Sequence, residues 1–336
     1  MAVPYALTSC VWEITLACCF SCAYCGSRAG KARPHELTTE ECLDVVRQLS
    51  DLGCRRVSLI GGEVFLRKDW DRIVSALTTQ GIRTAIITNG FLFSEDLIDK
   101  IKAAQVESVA VSLDGTRILH DRYRQEGSFD RALAAIDVLT SAGVPVSVIS
   151  TLNAENVQAL EDLYDTLRQY PIFAWQLQAC SPMGNAAATG IDYHFDFRQV
   201  ISFVRKHAES APFTLGIADN IGYFTEEEGA LRGGGVFPGC SAGLSAIGID
   251  SVGNVRGCEA MYDDSFIEGN LRERTLAEIW NDPDAFRYNR AFDPSLLTGA
   301  CTECAYGTRC AAGCRSYNYF VHGKLYESPF CARKAT

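Results

Sequence analysis

Three cysteines, Cys18, Cys22 and Cys25, stand in a C-x3-C-x2-C spacing within Cys18-Cys19-Phe20-Ser21-Cys22-Ala23-Tyr24-Cys25. The apolar run Val11-Trp12-Glu13-Ile14-Thr15-Leu16 leads directly into this loop. Three thiolates on one short loop hold three irons of a cubane cluster and leave the fourth iron open, unlike the four-cysteine sets of electron-transfer ferredoxins. An open iron accepts a ligand that is not protein, and so it is a place for chemistry. A second set, Cys240, Cys258, Cys301, Cys304, Cys310, Cys314 and Cys331, fills the C-terminal part. Its C-x2-C pair serves iron–sulfur clusters and structural zinc alike. Gly61-Gly62-Glu63 is a third candidate: glycines let backbone approach closely, and a carboxylate pairs with an ammonium.

The elements that must position these residues alternate. Thr38-Thr39-Glu40-Glu41 opens a helix whose Cys42, Val45, Val46, Leu49 and Leu52 recur at helical spacing until Gly53. Arg56–Ile60 reads as a buried strand running into Gly61-Gly62-Glu63. Strands follow at Thr84–Thr88, Ser108–Leu113, Val146–Ser150 and Phe173–Ala179, with helices near 70–80, 95–104, 129–142 and 156–170 between them. With the run before Cys18 this makes six strands joined by helices, the rhythm of right-handed βαβ units and a parallel sheet. Chemistry in barrels of this type sits at the C-terminal strand ends, where the cysteine loop and Gly61-Gly62-Glu63 both fall. From about Ser181 the rhythm breaks into a loop, a helix near 197–209 and an ill-defined bridge with Gly233-Gly234-Gly235. A hairpin then turns around Asp250-Ser251-Val252-Gly253, and a short helix spans Thr275–Asn281.

Composition narrows the function. The formal charge of −10 argues against unspecific nucleic-acid or anionic-membrane binding. Neither a secretory signal nor an apolar run of membrane-spanning length is present, so the expected place is the cytoplasm. There, 15 cysteines are better read as metal ligands than as disulfides. Cys10, Cys42 and Cys54 sit in apolar settings as packing residues, and the five histidines form no ligand spacing.

On these residues the sequence resembles the radical S-adenosylmethionine (SAM) enzymes with a C-terminal SPASM domain. The resemblance implies a partial (β/α)6 TIM-type barrel over 1–205, a bridging region at 206–238 and a cysteine-rich SPASM domain over 239–336. It implies a SAM-binding cluster on Cys18, Cys22 and Cys25, with Tyr24 near the adenine and Cys19 a non-ligand. Gly61, Gly62 and Glu63 match the family's Gly-Gly-Glu strand end, which holds the methionine amino group, although Val64 stands where proline is usual. Ser112 and Arg124 correspond to contacts of the SAM carboxylate, with Asp114 beside them. Leu177, Gln178 and Gly184-Asn185 fall on the segment resembling the adenosine contact of the sixth strand. The seven C-terminal cysteines follow the SPASM order. By that likeness Cys301, Cys304, Cys310 and Cys331 hold one auxiliary cluster, and Cys240, Cys258 and Cys314 hold another whose fourth ligand the sequence does not show. Three [4Fe-4S] clusters result.

The family's chemistry is reductive cleavage of SAM to a 5′-deoxyadenosyl radical, which takes a hydrogen atom from an unactivated C–H bond. The leading expectation is oxidative maturation, by cross-linking or dehydrogenation, of a ribosomally made peptide (a RiPP). The rivals are redox-neutral epimerisation, with Cys180 just past the sixth strand as hydrogen donor, and a dehydrogenase or epimerase acting on a sugar or cofactor precursor. Only 17 residues precede Cys18, so a peptide substrate is expected to dock directly or through a separate leader-recognition protein. Flavodoxin or ferredoxin is the expected reductant, and neither nucleic acid nor membrane is an expected partner.

Overall fold

The computed structural model describes residues 4–333. Its strands are β1 Ser9–Glu13, β2 Arg56–Ile60, β3 Arg83–Thr88, β4 Ser108–Ser112, β5 Val146–Leu152, β6 Ala174–Ala179, β7 Thr214–Ile217, β8 Ala246–Ile249, β9 Asn254–Arg256 and β10 Gly269–Asn270. The main helices are α1 Thr39–Asp51, α2 Trp70–Thr79, α3 Glu95–Ala103, α4 Arg117–Tyr123, α5 Ser128–Ser141, α6 Leu160–Leu167, α7 Ala186–Thr189 and α8 Phe197–His207. The expected βα alternation is present from β1 to β6.

The chain forms two compact units, one of Met1–Ser21, Ser27–Ala110 and Ser241–Ala291, the other of Cys22–Gly26, Val111–Cys240 and Phe292–Thr336. In the first, the strand order is β10-β9-β8-β1-β2-β3. β1 pairs in parallel with β2 on one side (Cys10↔Val57) and with β8 on the other (Trp12↔Ile249). The β8–β9 hairpin expected from the turn at 250–253 is present and antiparallel, and its first strand joins the sheet that carries the cysteine-loop stem. Trp12, Val57 and Leu59 are fully buried, as strands covered on both faces require. α1 starts with a capping box, the Thr38 side chain accepting from the Glu41 N–H (3.2 Å) and Glu41 accepting from the Thr38 N–H (2.7 Å), worth about 1 kcal/mol. Its Cys42, Val45, Val46 and Leu49 are buried.

In the second unit, β5, β6 and β7 are parallel in the order β4-β5-β6-β7. β7 lies in the stretch that the sequence left undefined; its four residues are too few to show a period, and only pairing with Ala174–Leu177 reveals them. α4 was also missed; it lies between the strand expected over 108–113 and the helix expected near 129–142. The segment expected as one helix over 156–170 begins as a 3₁₀ turn, Asn156–Ala159, and becomes α-helical at Leu160. Cys10, Cys42 and Cys54 are 1%, 0% and 5% exposed, in keeping with packing roles. No helix of the described residues is long and apolar enough to cross a membrane.

Candidate active site

In the first unit, the turn after β2 shows why two glycines stand there. The Gly62 N–H donates to the Thr15 carbonyl (2.8 Å) and the Glu63 N–H to that of Ala17 (2.7 Å). A Cβ on Gly61 would meet the Thr15 oxygen at 2.2 Å, and one on Gly62 the Ala17 oxygen at 2.1 Å. The backbone that these glycines admit is therefore the stem of the cysteine loop itself. Glu63, fully buried, is placed by that contact. Its carboxylate accepts from the Thr88 hydroxyl (2.9 Å) and the Asn89 N–H (2.9 Å). Burial nevertheless pushes its pKa up from 4.5 to about 7, against those hydrogen bonds. A buried carboxylate raised in this way gains by pairing with an ammonium.

Cys18 is anchored by its N–H to the Gly30 carbonyl (2.9 Å), and its sulfur accepts from the Phe20 N–H (3.4 Å). The Cys19 sulfur takes the amide of Asn89 (3.4 Å), which also reaches the Cys18 sulfur (3.9 Å). A hydrogen bond with Cys18, and then this amide, hold the Cys19 thiol low.

The rest of the loop belongs to the second unit. Its backbone is clamped from the segment after β6. The Asn185 amide donates to the Cys22 carbonyl (2.9 Å), the Asn185 N–H to that of Cys25 (2.9 Å), and the Thr189 hydroxyl to that of Ala23 (2.8 Å). Gly184 has φ +57°, and a Cβ there would lie 2.2 Å from both the Cys25 and Gly26 oxygens. Gly184-Asn185 thus shape the cysteine loop. Leu177 is fully buried in β6, its carbonyl taking the Ala218 N–H (2.8 Å).

Asp114, fully buried after β4, is the hub of this unit's polar site. One carboxylate oxygen accepts from both the Tyr24 hydroxyl and Arg124 Nε, the other from the Thr151 N–H (2.7 Å). Burial raises the Asp114 carboxyl, but the charge of Arg124 beside it brings it below the ordinary range. The guanidinium also lies 5.7 Å above the Tyr24 ring. Arg124 Nε is thereby occupied and the fork is oriented from behind. Ser112 ends β4 nearby in sequence and is 8% exposed. Two supports escaped the sequence. Buried His120 accepts the Asp114 N–H at Nδ1 (3.1 Å), and Asn156 donates to the Asp114 carbonyl (2.7 Å). Burial lowers His120 to about 4, so it stays neutral and able to accept. Spacing gave no signal for either, because each acts on backbone, Asn156 from 42 residues further along the chain.

Cys180 is 1% exposed and packs with Tyr24, Tyr123 and Ala186. Burial pushes its thiol up to about 12, so it keeps its hydrogen at neutral pH.

The C-terminal cysteines of this unit define a cavity of about 310 Å³ whose walls include Cys301, Cys304, Cys310 and Cys331. These four are the set expected for one auxiliary cluster, and none of them is in a disulfide. Burial first, then the neighbouring Cys331, Cys301 and Cys304, push the Cys310 thiol up to about 12. Among the described residues no group of three or more His, Cys, Asp or Glu side chains is set to hold a single metal ion, whereas a void of this size with four cysteines in its walls has room for a polynuclear group. Cys314 caps the helix Arg315–His322, its sulfur accepting from the Tyr317 N–H (3.5 Å), while its own N–H donates to the Tyr223 hydroxyl (3.1 Å). Cys240 belongs to this unit and Cys258 to the first.

The chain matches the Radical SAM superfamily over residues 12–167 and the SPASM iron-sulfur cluster-binding domain over 240–305. It is a radical SAM protein with a SPASM domain, and an enzyme of that family. Among curated proteins it is similar to the AdoMet-dependent heme synthase of Methanosarcina barkeri, 29% identical with 95% of each chain covered. It is also similar to the mycofactocin maturase MftC of Mycolicibacterium smegmatis, 29% identical over 95% of this chain and 80% of that one. Among solved structures, SuiB of Streptococcus suis bound to S-adenosylmethionine superposes with a TM-score of 0.78 at 18% identity, covering 97% of this chain and 77% of that one. The fold is therefore the radical SAM fold with its C-terminal SPASM part.

Proposed function

We propose that this enzyme binds SAM beside Cys18, Cys22 and Cys25, cleaves it reductively, and uses the 5′-deoxyadenosyl radical to start an oxidative modification of a peptide. The observation that carries the reading is the four-cysteine cavity: an auxiliary iron–sulfur group beyond the SAM-binding one gives the electron left after hydrogen abstraction somewhere to go. When bound, such groups supply and accept single electrons. The chain's own residues do the rest. Glu63 meets the SAM ammonium, Arg124 and Ser112 its carboxylate, and Tyr24 the adenine side. Asp114 acts through Arg124 and Tyr24 as a positioning residue. Gly61 and Gly62 set the depth of Glu63, and Leu177 backs the sixth strand. Cys301, Cys304, Cys310 and Cys331 hold one auxiliary cluster, Cys240, Cys258 and Cys314 the other, for three [4Fe-4S] clusters in all. The maturase name of MftC supports a peptide substrate. Incubation of the reduced enzyme with SAM and a candidate precursor peptide tests it: a peptide about two mass units lighter, formed with 5′-deoxyadenosine, is expected.

A second reading follows from the heme synthase likeness, which covers nearly all of both chains: the substrate is a cofactor precursor. An iron porphyrin precursor that stimulates 5′-deoxyadenosine formation, where peptides do not, would select it. A third rests on Cys180, whose buried, protonated thiol suits a hydrogen-atom donor in peptide epimerisation. Deuterium from D2O at one peptide α-carbon, a gain of about one mass unit with no loss of hydrogen, is its signature.

A further inference from the structure

We propose that Arg315 raises the reduction potential of the auxiliary iron–sulfur groups by holding a permanent positive charge between the ligand loops of both. The inference rests on the auxiliary-cluster reading above. Arg315 follows Cys314 directly, opens the helix Arg315–His322 and is 1% exposed, one of the largest fully buried side chains of the described residues. Its Nη1 donates to the carbonyl of Ala311, the residue after Cys310, and to that of Leu325 (3.3 Å). Its guanidinium carbon lies 4.7 Å from the centre of the Tyr326 ring and 5.2 Å from that of Phe292. Two carbonyls and two aromatic faces thus fix the cation next to one ligand from each proposed cluster, Cys314 and Cys310.

Burying an arginine is costly, and aromatic faces recover only part of that cost. Arginine remains charged in proteins even so. Burial pulls the Arg315 pKa down from the ordinary arginine range, and Cys240, Tyr326, Cys314 and Cys310, three of them proposed ligands, oppose that pull. Reducing a cluster adds one negative charge to its thiolate-ligated core. A fixed cation held against the ligand loops favours the reduced form, and net charge is among the established determinants of cluster potential.

The test is an electron-paramagnetic-resonance redox titration of the anaerobically reconstituted full chain and of its R315M, R315Q and R315K variants, with iron and sulfide counted in each. At parental iron content, R315M and R315Q are expected to shift the auxiliary reduction equilibrium about tenfold toward the oxidised form, 59 mV for one electron, while R315K stays near the parent. Unchanged potentials in R315M and R315Q overturn the proposal, as does an equal shift in R315K. Loss of auxiliary iron from the neutral variants overturns it too, because Arg315 would then be a structural staple. A parent chain without auxiliary iron would instead remove the cluster reading on which it rests.

Discussion

Fully buried Asp114 and largely buried Arg124 form a carboxylate–guanidinium pair, and the carboxylate oxygen that takes Arg124 Nε also takes the Tyr24 hydroxyl. One buried acid thus sets the direction of two of the residues proposed to face SAM. Replacing Asp114 by Asn keeps the shape but leaves Arg124 without its countercharge. Removing one partner of a buried pair costs about 3–5 kcal/mol. D114N is expected to unfold at a lower temperature and to bind SAM at least tenfold more weakly, with auxiliary iron unchanged. Calorimetry and equilibrium dialysis of SAM read both effects; unaltered SAM affinity would reduce the pair to a structural role.

Glu63 gives the site a pH dependence. Its folded pKa, near 7, lies above the ordinary 4.5, so below about pH 7 the free protein carries it protonated. Pairing with an ammonium needs the ionised form, and binding then releases a proton. SAM affinity is expected to fall as pH drops below about 7, approaching tenfold per pH unit, and to be flat above. Without SAM the sign reverses: the protonated form is favoured in the fold, so the Glu63 contribution to stability falls as pH rises from 4.5 towards 7. Isothermal titration from pH 5.5 to 8.5 tests the first trend, and E63Q should abolish it.

Gly184 is expected to tolerate no side chain. G184A places a methyl on the Cys25 and Gly26 oxygens in a left-handed conformation, a strain of about 1–3 kcal/mol. The variant should lose iron from the SAM-binding cluster while the C-terminal cysteines keep theirs. Iron per chain in G184A, compared with G184A also lacking Cys18, Cys22 and Cys25, separates the two; equal auxiliary and SAM-site losses would contradict the clamp.

The cysteine loop, the Gly-Gly-Glu turn and the βα rhythm were legible because each depends on local sequence: ligand spacing, close backbone approach and apolar period. Less legible was what reaches across the chain. Gly184-Asn185 fell on a segment resembling an adenosine contact, and nothing in the spacing showed that Asn185 would donate to the backbone of Cys22 and Cys25. His120 and Asn156 act on the backbone around Asp114, and no residue spacing announces that. β7 was missed because four residues carry too little period, and Tyr223 because a lone tyrosine in an undefined stretch gives no sign that it meets Cys314.

Cys180 separates the radical's possible fates. C180A is expected to keep SAM cleavage, to cost about 1 kcal/mol or slightly more in stability for the lost buried sulfur, and to change only the product. Liquid chromatography of 5′-deoxyadenosine beside mass spectrometry of the substrate reads the two independently. Abolished SAM cleavage would show a structural task for this thiol.

The central claim is radical chemistry supported by auxiliary clusters. Iron and sulfide per anaerobically reconstituted chain, measured with 5′-deoxyadenosine formed after reduction, test it most directly. About twelve irons with SAM cleavage is the predicted result. Zinc in the C-terminal cysteines and no 5′-deoxyadenosine would contradict it.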